Sequence, residues 1–295
     1  MGAYQGEIYA ILSGLFWAIA VCFFKRGGAN MPAITLNLFK NVIGIILFTI
    51  TLLVVGQPLF IDVPISDYLI IIVSGIAGMT LADTLFFAAL RRMGASMWAI
   101  VSSLYSPSVI FMAYVFLDET LSGIDLLGVA IVVGAIIFAS TRRDELGSFD
   151  RERMVGVLLG VLSLLLMATG IIIMKPVLLH APALWATQVR LIGSTISLFI
   201  LILLSKKRRL LLRAMLPDRN WKYLVPGSLI GPYLALGCWI AGFKYTLAGK
   251  AAILNQLNMV FIFVFAALFL REPLTWRKGV GLGFAFLGAI LVVLP

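Results

Sequence analysis

Apolar residues in this chain form long uninterrupted runs, and short polar segments separate one run from the next. A helix needs roughly 17 to 25 apolar residues to cross the hydrocarbon layer of a bilayer. The runs have about this length, and they lack the alternation of apolar and polar residues that marks the strands of a membrane barrel. We therefore predict ten transmembrane helices, with these bounds: 7–24, 33–55, 67–90, 96–117, 123–141, 154–174, 183–205, 223–243, 251–270 and 279–294.

The composition indicates a chain that lies almost wholly within the membrane. Hydrophobic residues make up 62% of the chain and charged residues 12%, and the mean hydropathy is +1.08. The longest polar stretches, 142–153 and 206–222, are too short for a soluble domain. The first run has no basic leader, so we do not expect a cleaved signal peptide. Because Cys22 and Cys238 both fall inside predicted spans, we expect no disulfide framework, no metal site and no cofactor.

The distribution of Lys and Arg predicts the orientation. The net charge of +10 sits in loops and not on a solvated surface, so we do not expect nucleic acid as a partner. Cytoplasmic loops collect Lys and Arg. Of the 23 such residues, the odd-numbered loops carry 18, and the even-numbered loops carry only Lys175, Lys244 and Lys250. This bias predicts a multi-pass protein of the plasma (inner) membrane with both termini outside the cytoplasm.

The two halves of the chain repeat each other. At an offset of 150 residues Lys40 falls on Arg190, and beyond the following loop the offset becomes 153. Because each half has an odd number of spans, five, the second copy enters the membrane from the opposite side. The excess of Lys and Arg accordingly falls on non-equivalent loops of the two halves. We therefore predict an all-α integral membrane fold of ten transmembrane helices in two inverted five-helix repeats, 1–146 and 147–295. Inverted repeats are typical of alternating-access carriers, although a duplicated scaffold without a pathway is the alternative.

Several motifs carry a resemblance to a known family. The segment DTLFFAALRRMGAS follows the start of the third span, and the fourth and ninth spans end in FLDETL and FLREPL, which align Glu119 with Glu272. With its two five-span halves, the chain resembles the EamA-type carriers of the drug/metabolite transporter superfamily. The resemblance implies an exporter or exchanger of small metabolites, amino acids or drugs with a central cavity. It also implies cytoplasmic termini, in disagreement with the loop charges. We expect both glutamates to be structural, because they lie at helix ends.

Three ionisable side chains within the spans are candidates for substrate binding or coupling, because a charge in hydrocarbon costs roughly 2.5 to 3.5 kcal/mol on insertion scales. Lys40 shares a helical face with Asn37 and Asn41, and Arg190 occupies the matching place in the second half. Two such cations would hold a carboxylate or phosphate, unless both snorkel to the interface. Asp83 is interpreted either as a carrier that couples protons to transport or as a structural partner of one of the cations.

Polar side chains in the fourth, eighth and ninth spans complete the candidate set. Pro107 removes a backbone hydrogen bond, which predicts an interrupted helix that lines a cavity, with polar contacts between helices as the alternative. Aromatic residues would either stack on a solute or anchor the chain at the interface. The candidates are Tyr105, Ser106, Tyr233, Trp239, Asn255, Gln256 and Asn258.

The sequence thus predicts a secondary transporter, with a small-molecule substrate and the lipid bilayer as its partners. Two cations against one acid favour an amino acid or another anionic or zwitterionic solute, and a multidrug or lipophilic-cation exporter is the alternative. A channel is a further alternative. We do not predict an enzyme, because the chain has one His, two isolated Cys and neither an HExxH nor a GxSxG motif. Nothing in the pattern predicts the oligomeric state, the energy source or the direction of transport.

Overall fold

All regular structure in the described part of the chain is helical. The computed structural model describes residues 4–28, 31–140, 151–216, 219–270 and 276–293. The first half contains α1 (Gln5–Gly27), α2 (Ala33–Val55), α3 (Ile65–Gly75), a π-helical segment (Ile76–Leu81), α4 (Ala82–Ser102), α5 (Tyr105–Leu117) and α6 (Gly123–Ser140). The second half contains α7 (Arg151–His180), α8 (Ala183–Leu204), α9 (Arg208–Arg213), α10 (Trp221–Ser228), a π-helical segment (Leu229–Ala235), α11 (Leu236–Tyr245), α12 (Ala248–Asn255), α13 (Leu257–Leu270) and α14 (Trp276–Val293).

Many of these helices are long and apolar enough to cross a membrane. Large apolar side chains such as Phe111, Phe116 and Leu158 are exposed on the outside of the bundle, as expected where lipid and not water is the neighbour. The protein is therefore an all-helical chain with several membrane-spanning helices. The six candidate spans are Gln5–Phe24, Ala33–Val55, Ile65–Phe86, Arg151–His180, Ala183–Leu204 and Trp221–Tyr245, and Tyr105–Leu117, Gly123–Phe138 and Gly279–Val293 are shorter apolar helices.

The stretch 91–95, predicted as a loop between the third and fourth spans, keeps helical backbone, but the chain reverses there as the prediction requires. Phe86 and Trp98 would lie about 18 Å apart along a straight helix, and their ring centroids are 4.6 Å apart. The first π-helical segment leads directly into α4, which continues through these residues to Ser102. The sequence RRMGAS contains no proline, Arg, Met and Ala are good helix formers, and a single glycine costs only about 1 kcal/mol. The second half does break at the equivalent place, where Thr246 adopts an extended conformation after α11.

Helix interruptions occur in both halves at the positions that line up in the sequence repeat. The chain turns at residues 103–104 between α4 and α5, which places Pro107 in the first turn of α5, where a helix does not need the missing N–H. In the second half, Gln256 separates α12 from α13. The interruption predicted from Pro107 is therefore present, just before the proline.

The two π-helical segments also lie at matching positions, because Ile76 and Leu229 are 153 residues apart. A π turn carries one residue more than an α turn and often lies at a functional site. Pro232 lies inside the second segment and has no N–H to donate. Residues of both segments lie at the centre of the bundle.

Small residues bring the helices around the centre close together. The helix α7 packs along α4, α1 packs against α11 and α13, and α6 packs against α14. A Cβ on Gly170 of α7 would lie 3.0 Å from the carbonyl oxygen of Ser74, whose hydroxyl donates to the Gly170 carbonyl at 2.5 Å. Close backbone approach of this kind replaces the hydrophobic driving force that lipid cannot supply between helices.

Candidate functional site

A central cavity of about 210 Å³ lies between helices of the first and second halves of the chain. An apolar cavity of roughly 150 Å³ can hold benzene, so this cavity has room for a one-ring solute with a small polar group. It is lined by eight of the twelve predicted site residues: Lys40, Asp83, Tyr105, Arg190, Trp239, Asn255, Gln256 and Asn258.

Lys40 of α2 and Asp83 of α4 form an ion pair on the cavity wall. The Lys40 Nζ lies 3.6 Å from the Asp83 Oδ2 and 5.8 Å from the centroid of the Trp17 ring. Lys40 is 7% exposed, so it does not snorkel to an interface. This geometry fits the interpretation of Asp83 as the structural partner of a cation. The opposite charges of Lys40 and Asp83 cancel, so the pair adds no net charge to the cavity.

Arg190 of α8 lies on the same cavity without an acidic partner. It is 1% exposed, and its guanidinium carbon stacks 5.1 Å from the centroid of the Trp239 ring. Within the described ranges no carboxylate pairs with Arg190, and neither its Nε nor the hydroxyl of the neighbouring cavity residue Tyr105 has a hydrogen-bond partner. The glycine at position 78 makes room for the guanidinium, because a Cβ there would lie 2.5 Å from the Arg190 Nη2.

The two helix interruptions meet at the cavity. The Gln256 side chain donates to the carbonyl oxygens of Ser102 and Ser103, at 3.0 and 3.3 Å. Asn255 donates to the hydroxyl of Ser13 on α1 at 3.0 Å. Carbonyls that a broken helix leaves free must be satisfied within the protein when no water is at hand. The polar residues at these interruptions therefore hold the breaks open and face the cavity.

Four predicted site residues do not line the cavity. Asn37 and Asn41 flank Lys40 on α2, but they donate to a carbonyl of the first π-helical segment at 3.1 Å and to a hydroxyl of α8 at 3.3 Å. Tyr233 hydrogen-bonds to a threonine hydroxyl of α2 at 2.7 Å, and Ser106 is fully buried in the first turn of α5. The two asparagines and the tyrosine hold helices together next to the site, whereas the Ser106 hydroxyl has no hydrogen-bond partner.

Among the lining residues that sequence reasoning missed are Ser13, Trp17, Phe86 and Ser163. The available signal was a tryptophan and a serine in the middle of the first span, away from the interface where tryptophan is usually found. Phe86 stacks on Trp98 with ring centroids 4.6 Å apart, so one end of the cavity is aromatic. In the described ranges, no three His, Cys, Asp or Glu side chains come together in a way that could hold a metal ion.

One face of the bundle is closed by ion pairs between the two halves, and we call it the paired face. The strongest contact joins Lys175 and Glu119 at 2.5 Å, and the glutamate also accepts from the Ala248 amide at 2.6 Å. Lys175 was predicted as a loop residue, but it lies inside α7 and is 6% exposed, because Glu119 compensates its charge. Glu272 lies outside the described residues. The ion pairs are Lys175–Glu119 and Lys250–Asp125, and the His180 Nε2 shares a hydrogen bond with Asp67 at 2.7 Å.

The cavity begins below the paired face and extends away from it. Arg190 lies seven residues into α8, which places it about 10 Å from the end of α8 at that face. Lys40 lies fifteen residues before the end of α2, or about 22 Å from the same face. Arg190 is thus nearer the paired face, and the Lys40–Asp83 pair lies farther from it, with Phe86 and Trp98, which are partly exposed, on the same cavity wall.

Comparison with known proteins places the chain in a family. The model of the EamA-like transporter family matches residues 4–141 and 154–294. An uncharacterized transporter of Archaeoglobus fulgidus is 22% identical over 290 residues, which are 98% of each chain. The probable 4-amino-4-deoxy-L-arabinose-phosphoundecaprenol flippase subunit ArnF of Proteus mirabilis is 30% identical over 118 residues, which are 37% of this chain and 89% of that protein.

The fold is found among solved structures as well. A crystal structure superposes with a TM-score of 0.82 at 15% identity and covers 98% of this chain and 96% of its own. At this identity the likeness concerns the fold alone. The family match, in contrast, includes every helix that lines the cavity. The chain belongs to the EamA-like transporter family.

Proposed function

We propose that the protein is a secondary transporter that moves a small metabolite, an amino acid or another anionic or zwitterionic solute, across the plasma membrane by alternating access. The observation that carries this proposal is a central cavity that contains a buried cation and is closed at one face by ion pairs between the two halves. A small solute would bind in the cavity and leave on either side as the two ends open in turn.

Two inverted repeats, 1–146 and 147–295, would supply the ten helices for this mechanism. The recurrence of a π-helical segment and of a helix interruption after 153 residues supports a duplicated five-helix unit. The inter-half ion pairs support the topology, because each joins the ends of helices that ten crossings would bring to one side of the membrane. The loop charges assign this paired face, together with both termini, to the outside.

The paired face is the proposed outer gate. Its two ion pairs, Lys175–Glu119 and Lys250–Asp125, are largely buried, so each charge depends on the opposite charge in the other half. When the face opens, water replaces the lost partner, and two arrangements of similar free energy become accessible. A solute that fits one arrangement better than the other shifts the population between them. Asp83 would couple a proton to this shift, because protonation would release Lys40 to a different partner.

A lipophilic cation is the second candidate substrate. The partly exposed Asp83 side chain lies at the aromatic end of the cavity, near Phe86 and Trp98, where an aromatic surface and an acid together suit an organic cation. Dissociation of Lys40 would be required first, because the ion pair occupies this carboxylate. The anionic or zwitterionic class therefore accounts for the structure with fewer rearrangements.

A ligand panel followed by flux measurement tests the proposal. Purified protein is screened by thermal shift against amino acids, organic acids and lipophilic cations, and each ligand that stabilises it is tested in proteoliposomes. A carrier gives saturable uptake that is accelerated by unlabelled solute on the opposite side. Flux that does not saturate and far exceeds carrier rates would indicate a channel, and product formation from any ligand would indicate an enzyme.

A further inference from the structure

The charges in the cavity are distributed unequally, and this asymmetry points to a substrate class. We infer, on the basis of the proposed transport function, that the cavity selects an organic monoanion with a flat apolar body and binds its carboxylate at Arg190. Lys40, which the sequence pairs with Arg190, does not bind the anion, because Asp83 already neutralises it.

The charged side chains that line the cavity do not cancel each other. Among the described lining residues the charged ones are Lys40, Asp83 and Arg190, which together carry one net positive charge. Lys40 and Asp83 compensate each other at 3.6 Å. The unbalanced charge therefore belongs to Arg190, and one anionic group on the solute balances it.

Arg190 and the neighbouring Tyr105 each have a hydrogen-bond donor without a partner. The Arg190 Nε and the Tyr105 hydroxyl are buried and have no partner, and both residues line the cavity. Buried donors almost always have partners, and a buried guanidinium without an acid is strongly disfavoured. The sulfur of Met174, 3.9 Å from the Arg190 Nη1, is only a weak acceptor. Trp239 covers one face of the guanidinium, so a carboxylate would approach its edge, where two parallel N–H groups suit two oxygens.

The space that remains in the cavity beyond Arg190 suits an apolar body. From Arg190 the cavity extends towards the aromatic rings of Trp17, Phe86 and Trp98. With a volume of about 210 Å³ it holds one ring and a short acidic side chain. The ammonium group of a zwitterion would need an acid of its own, and Asp83, the one acid among the described lining residues, is engaged by Lys40. An apolar tail without a second charge therefore fits this cavity better than an amino acid.

Four probes that share one ring and differ only in charge test the inference. Phenylacetate is the monoanion, phenylacetamide is neutral, phenylalanine is the zwitterion and phenethylammonium is the cation. Each is titrated against the purified full chain in nanodiscs, and binding is measured by thermal shift and by calorimetry. We expect phenylacetate to bind at least about tenfold more tightly than phenylacetamide, because a hydrogen bond to a charged group contributes that much.

Variants of Arg190 connect this selectivity to the residue. Arg190→Gln should lower phenylacetate affinity at least about tenfold and leave phenylacetamide affinity unchanged, and Arg190→Lys should give an intermediate loss, because it keeps the charge but not the planar fork. Arg209→Gln is the matched control, since Arg209 is exposed on α9. The four-probe series on the unmodified chain remains decisive if an Arg190 variant fails to fold.

The outcomes separate this inference from the transport proposal. Equal stabilisation by the four probes, none by phenylacetate, or phenylacetate binding that survives Arg190→Gln would overturn the anion site. Saturable counterflow of phenylalanine or phenethylammonium but not of phenylacetate would overturn the anion site and leave the transport proposal standing. Phenylacetate binding that requires Arg190, in a protein that gives no counterflow with this probe, would support the site and count against transport.

Discussion

Replacement of Lys175 by Met should open the face of the bundle that its ion pair with Glu119 holds closed. Methionine keeps most of the volume of the lysine stem but removes the charge. The variant loses the 2.5 Å ion pair and the 2.8 Å hydrogen bond from Lys175 to the Thr246 carbonyl. The Glu119 carboxylate then stays buried without a cation, because its side chain is only 13% exposed.

The size of the effect follows from this burial. Removal of one partner of a buried ion pair costs about 3–5 kcal/mol, since the other charge loses its compensation. If water hydrates Glu119 once the face opens, the cost falls on the closed arrangement alone. At about 1.4 kcal/mol for each factor of ten, the equilibrium between closed and open paired faces shifts towards the open one by roughly two to four orders of magnitude.

Cysteine labelling measures this equilibrium. Ala251 is fully buried in α12, one turn beyond the amide that Glu119 binds, and it is replaced by Cys in a chain whose Cys22 and Cys238 are changed to Ala. A water-soluble maleimide then labels the protein in nanodiscs at a rate proportional to the open fraction. We expect labelling in the Lys175→Met variant to accelerate until the intrinsic rate of the thiol limits it. The exposed Lys206, changed to Met, is the matched control.

A double variant decides whether the ion pair is responsible. Lys175→Met combined with Glu119→Gln leaves no uncompensated charge, so it should label more slowly than Lys175→Met alone. Unchanged labelling in the single variant, or a double variant whose acceleration is the product of the two single effects, would refute the reasoning. The first result would mean that other contacts hold the face closed, and the second that the two residues act independently.

Three further predictions concern the cavity. Asp83→Asn should remove the response of flux to an imposed pH gradient in proteoliposomes, and a response equal to that of the unmodified chain would exclude Asp83 as the coupling residue. Gly78→Ala should displace the Arg190 guanidinium, because the new methyl would lie 2.5 Å from its Nη2; calorimetry should show phenylacetate binding weakened at least about fivefold, and unaltered affinity would contradict the packing argument. Tyr105→Phe should weaken phenylacetate binding by roughly twofold to tenfold through loss of one hydrogen bond, whereas Tyr233→Phe, outside the cavity, should lower the thermal midpoint and leave affinity within about twofold; equal losses of affinity would show that the hydroxyl of Tyr105 does not face the solute.

Part of the site was visible in the sequence because ionisable groups in apolar spans are costly. Lys40, Asp83 and Arg190 stood out for this reason, and all three line the cavity. Asn37 and Asn41 share the helix of Lys40 yet bond to other helices. Polar side chains between helices and polar side chains facing a cavity give the same signal, so the sequence cannot separate them.

The helix boundaries had a similar limit. Hydropathy located the apolar runs, but the residues 91–95, whose charges suggested a loop, keep helical backbone while the chain reverses between Phe86 and Trp98. Lys175 was assigned to a loop for the same reason, yet it is buried in α7 opposite Glu119. A charged residue indicates a loop only as long as no buried partner of opposite charge is known for it. Glu119, the partner of Lys175, is distant along the chain, so the sequence does not reveal the pair.

The sequence by itself determined that the chain is helical, lies in a membrane, repeats its pattern and belongs to a transporter family, because hydrophobic run length and family motifs are properties of consecutive residues. Only the tertiary structure decided which cation is free. Lys40 and Arg190 align in the repeat, but an ion pair depends on the approach of two atoms to within a few ångströms, and among the described residues only Lys40 has an acid at that distance. That difference turns a symmetric pair of cations into one site for an anion, at Arg190, beneath a face held closed by charges from both halves of the chain.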